Sequence, residues 1–228
     1  LYMYVRERAY STIEIDFRRR GAGGMNLADN LRRSAERFPG RIAIVFYDRK
    51  IAYEELYWDV ALFAAGLREA GVAPGDRVAI ALPNVPEFAV ALYGTLAAGA
   101  EAVSINPLYT AREIGFMLRD AGVKLAIVHP MFEQAVREAS RESPVSIIYS
   151  DAMGDPAKTD IRKIAANERT GLDPVPREPD DTALIVYTNA HLGYPLGACL
   201  THEGLAFDAE ACRQVSVTTE EDSFLTVI

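Results

Sequence analysis

Thr188, Asn189, His191, Gly193, Pro195 and Gly197 fall within one ten-residue stretch, Thr188 to Gly197. Thr188, Asn189 and His191 carry side-chain hydrogen-bond donors. Gly193 and Gly197 let the backbone come close to a ligand, and Pro195 stiffens the chain between them. Such a loop suits phosphate, which takes converging backbone N–H groups and side-chain donors. Three neighbours weaken that chemistry. Ala190 adds a Cβ, and Leu192 and Leu196 offer only backbone. Read from its residue types alone, this glycine-containing loop could hold phosphate, with Thr188, Asn189 and His191 as its side-chain donors. No catalytic residue and no metal ligand stands out.

The elements that must position this loop are legible around it. Ala183 to Tyr187 is a short, almost wholly apolar run, as expected of a parallel strand buried on both faces. From Thr201 the pattern reads as a helix, with Leu205, Ala209 and Cys212 on one face. A strand, a glycine-containing loop and a helix would bring an electropositive helix N-terminus to the phosphate.

The chain has 228 residues, half of them apolar, and a net charge of −8. Its mean hydropathy is zero. That supports one good core and the start of a second. An acidic balance without a long basic run argues against nucleic acid as a partner. Arg18-Arg19-Arg20 reads as a solvated patch. Cys199 and Cys212 give neither a disulfide framework nor metal-ligand spacing with His129, His191 and His202. They are expected to be buried, inert thiols in a reducing compartment. No apolar run reaches transmembrane length and no signal peptide is recognisable. The expected location is cytoplasmic, peripheral to membrane only where a lipid-like substrate is met.

Residues 1–25 read as an extended arm with a joint at Gly21 to Gly24. Residues 26–180 read as an α/β subdomain. Asn26 is the expected N-cap of a helix running to Phe38. Ile42 to Tyr47 and Lys50 to Tyr53 form a hairpin about Asp48-Arg49. A long helix follows to Ala70, closed by Gly71. Strands at 77–82, 101–105, 124–128 and 145–149 then alternate with helices at 86–98, 110–121 and 130–140. This rhythm predicts a mostly parallel, doubly wound sheet with helices on both faces. No G-x-G-x-x-G follows the first strand, so no dinucleotide site is expected. Asp151 to Asp181 is a polar surface connection with at most one short helix. Residues 181–228 hold the loop unit and the start of a further subdomain. The chain begins without Met, and Ser223 to Ile228 reads as a strand, so a fragment is expected.

The wording of the loop resembles that of the adenylate-forming (AMP-binding) enzymes, which include acyl-CoA synthetases, luciferases and peptide-synthetase adenylation domains. Their pattern is roughly Y-T-S-G-T-T-G-x-P-K-G-V-x-L-T-H-x-N-L. Tyr187, Thr188, Gly193, Pro195, Gly197, Leu200, Thr201, His202 and Leu205 match it in order. Asn189 stands for the serine, Ala190 for the glycine, His191 and Leu192 for the threonines, Leu196 for the lysine and Gly204 for the asparagine. Ala73-Pro74-Gly75-Asp76-Arg77-Val78-Ala79, Leu82-Pro83-Asn84 and Pro86-Glu87-Phe88 look like the early core of acyl-CoA synthetases. Asn106-Pro107-Leu108-Tyr109-Thr110-Ala111-Arg112-Glu113 is most similar to fatty-acyl-CoA ligases. The match runs from about Asn26 to the end.

The resemblance implies the N-terminal part of an acyl-CoA synthetase-like fold. It implies ATP, Mg²⁺ and coenzyme A as cofactors of the whole enzyme and a fatty acid or other carboxylate as substrate. It places Thr188, Gly193 and Gly197 on the pyrophosphate side. Asn189 and His191 stand where hydroxyls would be supplied, and Thr201 and His202 start and steady the next helix. The adenine, Mg²⁺ and ribose segments and the C-terminal lysine would lie beyond Ile228. Two functions stay open: a piece of a fatty-acid–CoA ligase, inactive alone, or a non-catalytic ligand- or partner-binding module on the same fold. An ordinary βα turn and an unrelated doubly wound protein are the blander alternatives. Self-association, most simply as a homodimer, is expected through an open sheet edge.

Overall fold

The computed structural model describes residues 26–106, 108–151, 171, 173–188, 195–219 and 221–224. Its helices are α1 (Asp29–Arg37), α2 (Tyr53–Glu69), α3 (Pro86–Ala97), α4 (Ala111–Asp120), α5 (Glu133–Ala139) and α6 (His202–Val215). A two-stranded antiparallel ribbon, β1 (Ile42–Phe46) with β2 (Arg49–Ala52), precedes the main sheet. That sheet contains β3 (Arg77–Ala81), β4 (Glu101–Ser104), β5 (Leu125–Val128), β6 (Ser146–Tyr149), β7 (Thr182–Tyr187) and β8 (Gly197–Thr201). Their order is β6-β5-β3-β4-β7-β8. All neighbours are parallel except β7 and β8.

Period-two burial explains the layering. Val78, Ile80, Ala102, Leu125 and Ile127 face α2 and α3, where Phe63, Leu67 and Ala91 pack on them. Ala79, Ala81, Val103, Ala126 and Val128 face the opposite way, against Ile114, Met117, Leu118 and Val136 of α4 and α5. Strands covered on both sides need apolar residues at every position, and β3 and β5 read that way. The doubly wound expectation is met.

Local signals set most boundaries. Thr110 and Glu113 form a reciprocal capping box at the start of α4, satisfying two orphan donors at once. The Glu113 carboxyl is held below its ordinary range by its hydrogen bonds from the Thr110 hydroxyl and backbone N–H. Gly71 follows α2 with φ +86°, the left-handed closure that favours glycine.

Several expectations are corrected. α1 begins at Asp29 with Ala28 as N-cap, and Asn26 does not cap it. The Asn26 side chain is taken up by longer-range partners described below. The ribbon turns at Tyr47-Asp48, one residue early, because Phe46 pairs with Arg49 and Tyr47 itself accepts a φ of 51°. Pro130–Phe132 is a tight 3-10 turn leading into α5. Of the expected inner face of α6, Leu205 does pack against the core, whereas Ala209 and Cys212 are exposed and the fully buried residues are His202 and Ala206. Both cysteines are exposed rather than buried. Cys199 lies on the outermost strand, and Cys212 lies on the solvent side of α6.

The arm at 1–25, the middle of the 151–181 connection and the last four residues lie outside the described residues, as do Asn189, His191 and Gly193. Ser223 and Phe224 are irregular. Among the described residues no helix is long and apolar enough to cross a membrane.

Candidate functional site

The loop expected to hold phosphate sits between two antiparallel strands. β7 runs up to Tyr187, and β8 returns from Gly197, paired with Tyr187. The base is closed by the Thr188 N–H donating to the Leu196 carbonyl at 2.9 Å. The Leu196 N–H donates to the Thr188 Oγ1 at 3.2 Å. Pro195 is buried, whereas Thr188 and Leu196 are exposed. The Thr188 hydroxyl thus ties the loop through its oxygen and keeps its own O–H to donate outward.

This geometry corrects the strand–loop–helix expectation. A strand, β8, stands between the loop and α6. Its five residues rise about 17 Å back to the amino end of the sheet. There α6 begins: the His202 N–H donates to the Asp181 carbonyl and the Glu203 N–H to the Pro179 carbonyl, each at 3.1 Å. The helix N-terminus therefore lies at the opposite end of the sheet from the loop and cannot serve phosphate held there. A short glycine-rich connection between two apolar segments does not reveal from sequence whether a second strand intervenes.

Gly197 belongs to β8 rather than to the loop. A Cβ there would stand 3.2 Å from two Tyr187 ring atoms and 3.3 Å from Ile185 Cγ2. Glycine at this place leaves room for the Tyr187 ring beside it. The Tyr187 hydroxyl donates to Asp120 Oδ2 at 2.7 Å. Burial first, then that hydrogen bond and the Asp120 charge, push the phenol up, well above its ordinary value. Tyr187 is thus a neutral strut between β7 and the end of α4, not an acid or base.

The residues with buried polar roles cluster at the other end of the sheet. The Asn26 amide donates to the Leu96 carbonyl at 2.6 Å and the Val175 carbonyl at 2.9 Å. Its Oδ1 accepts from the Ala28 N–H at 2.9 Å. His202 is fully buried, and its Nδ1 accepts from the Leu27 N–H at 3.1 Å. Arg177 and Asp181 pair at 2.9 Å beside it. Burial and then the Arg177 cation depress the imidazole to about 4, opposed by Asp181. Thr201 accepts from the Gly204 N–H at 3.0 Å and caps α6. Thr201 and His202 do start and anchor that helix. The Asn26 amide contacts reach 70 and 149 residues along the chain and Arg177 acts on His202 from another segment, so no local pattern signals them.

The chemistry available at the described part of the loop is hydrogen bonding from Thr188 and from backbone. Among the described residues no group of three His, Cys, Asp or Glu side chains could hold a metal ion. Among the described residues, Thr188 and backbone groups are what this loop could offer to phosphate oxygens, and none of them forms a three-ligand Mg²⁺ site.

Comparison with known proteins bears on this arrangement. A family model described as "AMP-binding enzyme" matches residues 31–228. A long-chain-fatty-acid–CoA ligase of Bacillus subtilis (strain 168) is 32% identical over 206 residues, covering 78% of this chain and 37% of that protein. Triostin synthetase I of Streptomyces triostinicus is 32% identical over 217 residues, covering 93% of this chain and 40% of that protein. Among solved structures, MbtA of Mycobacterium smegmatis superposes with a TM-score of 0.78 at 28% identity, covering 86% of this chain and 37% of its own. A benzoate CoA ligase from Burkholderia xenovorans LB400 gives a TM-score of 0.72 at 26% identity, covering 81% of this chain and 36% of its own. The chain thus spans well under half the length of these relatives. The match takes in the parallel sheet, the β7–β8 loop and α6 together, and on that ground the chain belongs to the family of AMP-binding enzymes.

Proposed function

We propose that the chain is the N-terminal part of an ATP-dependent, AMP-forming fatty-acid–CoA ligase and forms no acyl-adenylate by itself. The observation that carries this reading is the β7–β8 loop, whose frame keeps the family wording from Tyr187 to His202. Asn106 to Glu113 adds the fatty-acyl wording. ATP, Mg²⁺ and coenzyme A are the cofactors of that reaction, in which a carboxylate attacks the α-phosphorus and pyrophosphate leaves. Charge builds on the leaving group, so stabilising donors decide the rate. In this chain Thr188, Asn189 and His191 are the side chains offered to phosphate, with Gly193 giving backbone access. Leu196, where the family has lysine, supplies no positive charge, and the α6 dipole points elsewhere.

The test is titration calorimetry with ATP·Mg²⁺, run with a pyrophosphate-release assay over a panel of fatty acids. The expected result is no pyrophosphate release. ATP binding should appear or strengthen at least tenfold when Asn189→Ser, Ala190→Gly, His191→Thr, Leu192→Thr and Leu196→Lys are combined. Clear turnover by the unaltered chain would sink the proposal of inactivity.

A non-catalytic module is the second reading, favoured by Leu192 and Leu196 in place of polar loop residues. A reading frame that continues into Mg²⁺- and ribose-binding segments supports the ligase; a stop near Ile228 supports the module. Under either reading we expect self-association through β8. It is the outermost strand among the described residues, with Ala198 and Cys199 exposed and Val186 and Leu196 exposed too; open edges of this kind recruit further strands. Light scattering is expected to show a dimer, and a monomer at high concentration would count against it.

A further inference from the structure

A cleft of about 360 Å³ opens between α2, β2, the first turn of α3 and the end of β6. That volume lies in the range of small-molecule sites. Its floor is apolar: Ile51, Leu56 and Phe63 line it and are buried, and Val90 joins them from α3. Its rim is acidic, with Asp59 on α2, Glu87 on α3 and Asp151 just past β6.

Arg49 is the one cation lining the cleft among the described residues. It is already shared between Glu55 at 3.2 Å and Glu87 at 3.9 Å. Asp59 is half-buried and has no hydrogen-bond or ion-pair partner among the described residues. Burial first, and then the Glu55 charge, hold its carboxyl above the usual range, with the Arg49 cation opposing and Glu87 adding a little more. A second polar group is also unmet. Ser150 lines the cleft at 4% exposure, and its Oγ has no hydrogen-bond partner. Half-buried carboxylates without partners destabilise a fold unless a cation answers them. A hydrated metal ion would leave the apolar floor unused, and an anion would meet the acidic rim.

We propose that this cleft binds a small organic cation, a primary ammonium on a compact apolar body, with Asp59 as its counter-ion and Ile51, Leu56 and Phe63 under the apolar part. The site is distinct from the phosphate loop. β5, β3 and β4 lie between β6 and β7, which places the two about 19 Å apart across the sheet. The proposal does not depend on adenylation chemistry and stands or falls separately from it.

The probe is 2-phenylethylamine, followed by calorimetry and by chemical-shift changes at residues around the cleft. Affinity on the order of 1 mM is expected for so small a ligand. Neutral 2-phenylethanol is expected to bind at least tenfold more weakly, and 3-phenylpropionate not at all. Asp59→Asn is expected to weaken the amine at least tenfold while leaving the thermal midpoint unchanged or raised, since it removes a like-charge contact. Glu87→Gln serves as a second variant, with a smaller loss of about threefold. Equal binding of amine and alcohol overturns the proposal. So does the absence of amine binding up to its solubility, or an Asp59→Asn variant that binds the amine as well as the parent chain does.

Discussion

Asn26→Ala is expected to lower the unfolding free energy by about 3 kcal/mol, the larger part of it through stranded partners rather than lost contacts. Asn26 is 2% exposed. Its amide answers carbonyls 70 and 149 residues away, and its oxygen answers the Ala28 N–H. Alanine strands the Ala28 N–H and the part-buried Val175 carbonyl, while the Leu96 carbonyl keeps its bond from the Gly99 N–H; each unmet group costs about 1–3 kcal/mol, reduced where water or a backbone shift reaches it. Asn26→Asp separates donors from acceptor. It keeps the bond from Ala28 but turns an anion toward two carbonyls, so it is expected to be at least as harmful. Asn30 is the control, because its amide oxygen accepts one exposed bond from Arg33. Asn30→Ala is expected to cost less than about 0.5 kcal/mol. Urea unfolding of the three variants reads all of this, and an Asn26→Ala loss below about 1 kcal/mol would show that the hub is not structural.

The sheet was legible because its cause is local. β3 and β5 are short apolar runs, and only strands covered on both faces tolerate such runs. α2 and α4 show their buried residues at helical spacing, with Gly71 and the Thr110–Glu113 box marking ends. What escaped was non-local. Asn26 has a good N-cap residue type, but it is claimed by carbonyls on α3 and on the 173–181 segment, and a satisfied long-range hub outweighs one capping bond. β8 was missed for a different reason. Ala198, Cys199 and Leu200 carry no alternation, and their pairing with β7 is set by a loop whose length alone does not distinguish a hairpin from a turn into a helix.

The same omission governs the candidate site. Wording placed Thr188 and Gly197 near phosphate, and the structure keeps Thr188 at the base of the loop. Gly197 has another reason to be glycine, the Tyr187 ring against it. The helix dipole expected beside the loop lies a strand's length away. A phosphate site on this chain therefore rests on loop donors alone, and those donors are where the sequence departs from the family. The 173–181 segment, unremarkable as a sequence, carries Arg177 and Asp181 to His202 and makes the amino end of the sheet the polar centre of the fold.

That centre makes stability depend on acid in a specific window. The folded chain holds His202 at about 4, against an ordinary value of 6.5. Between those two values the unfolded chain binds a proton that the folded chain refuses, so stability rises with pH there. The contribution is complete above about pH 6.5, falls as the pH drops and is lost by about pH 4. A displacement of that size amounts to about 3 kcal/mol. The stereochemistry agrees with the sign. His202 Nδ1 accepts from the Leu27 N–H, so a proton added there sets donor against donor, beside the Arg177 cation. Asp181 opposes the effect without cancelling it. Carboxylates elsewhere also titrate in this range, so the quantity to measure is the difference between the parent chain and His202→Gln, whose amide oxygen can still accept from Leu27. Urea midpoints at half-unit steps from pH 7 to pH 4 are expected to show the parent losing about 3 kcal/mol more than the variant. Parallel curves would mean that the buried imidazole is not the proton acceptor, and that acid sensitivity arises from the carboxylates alone.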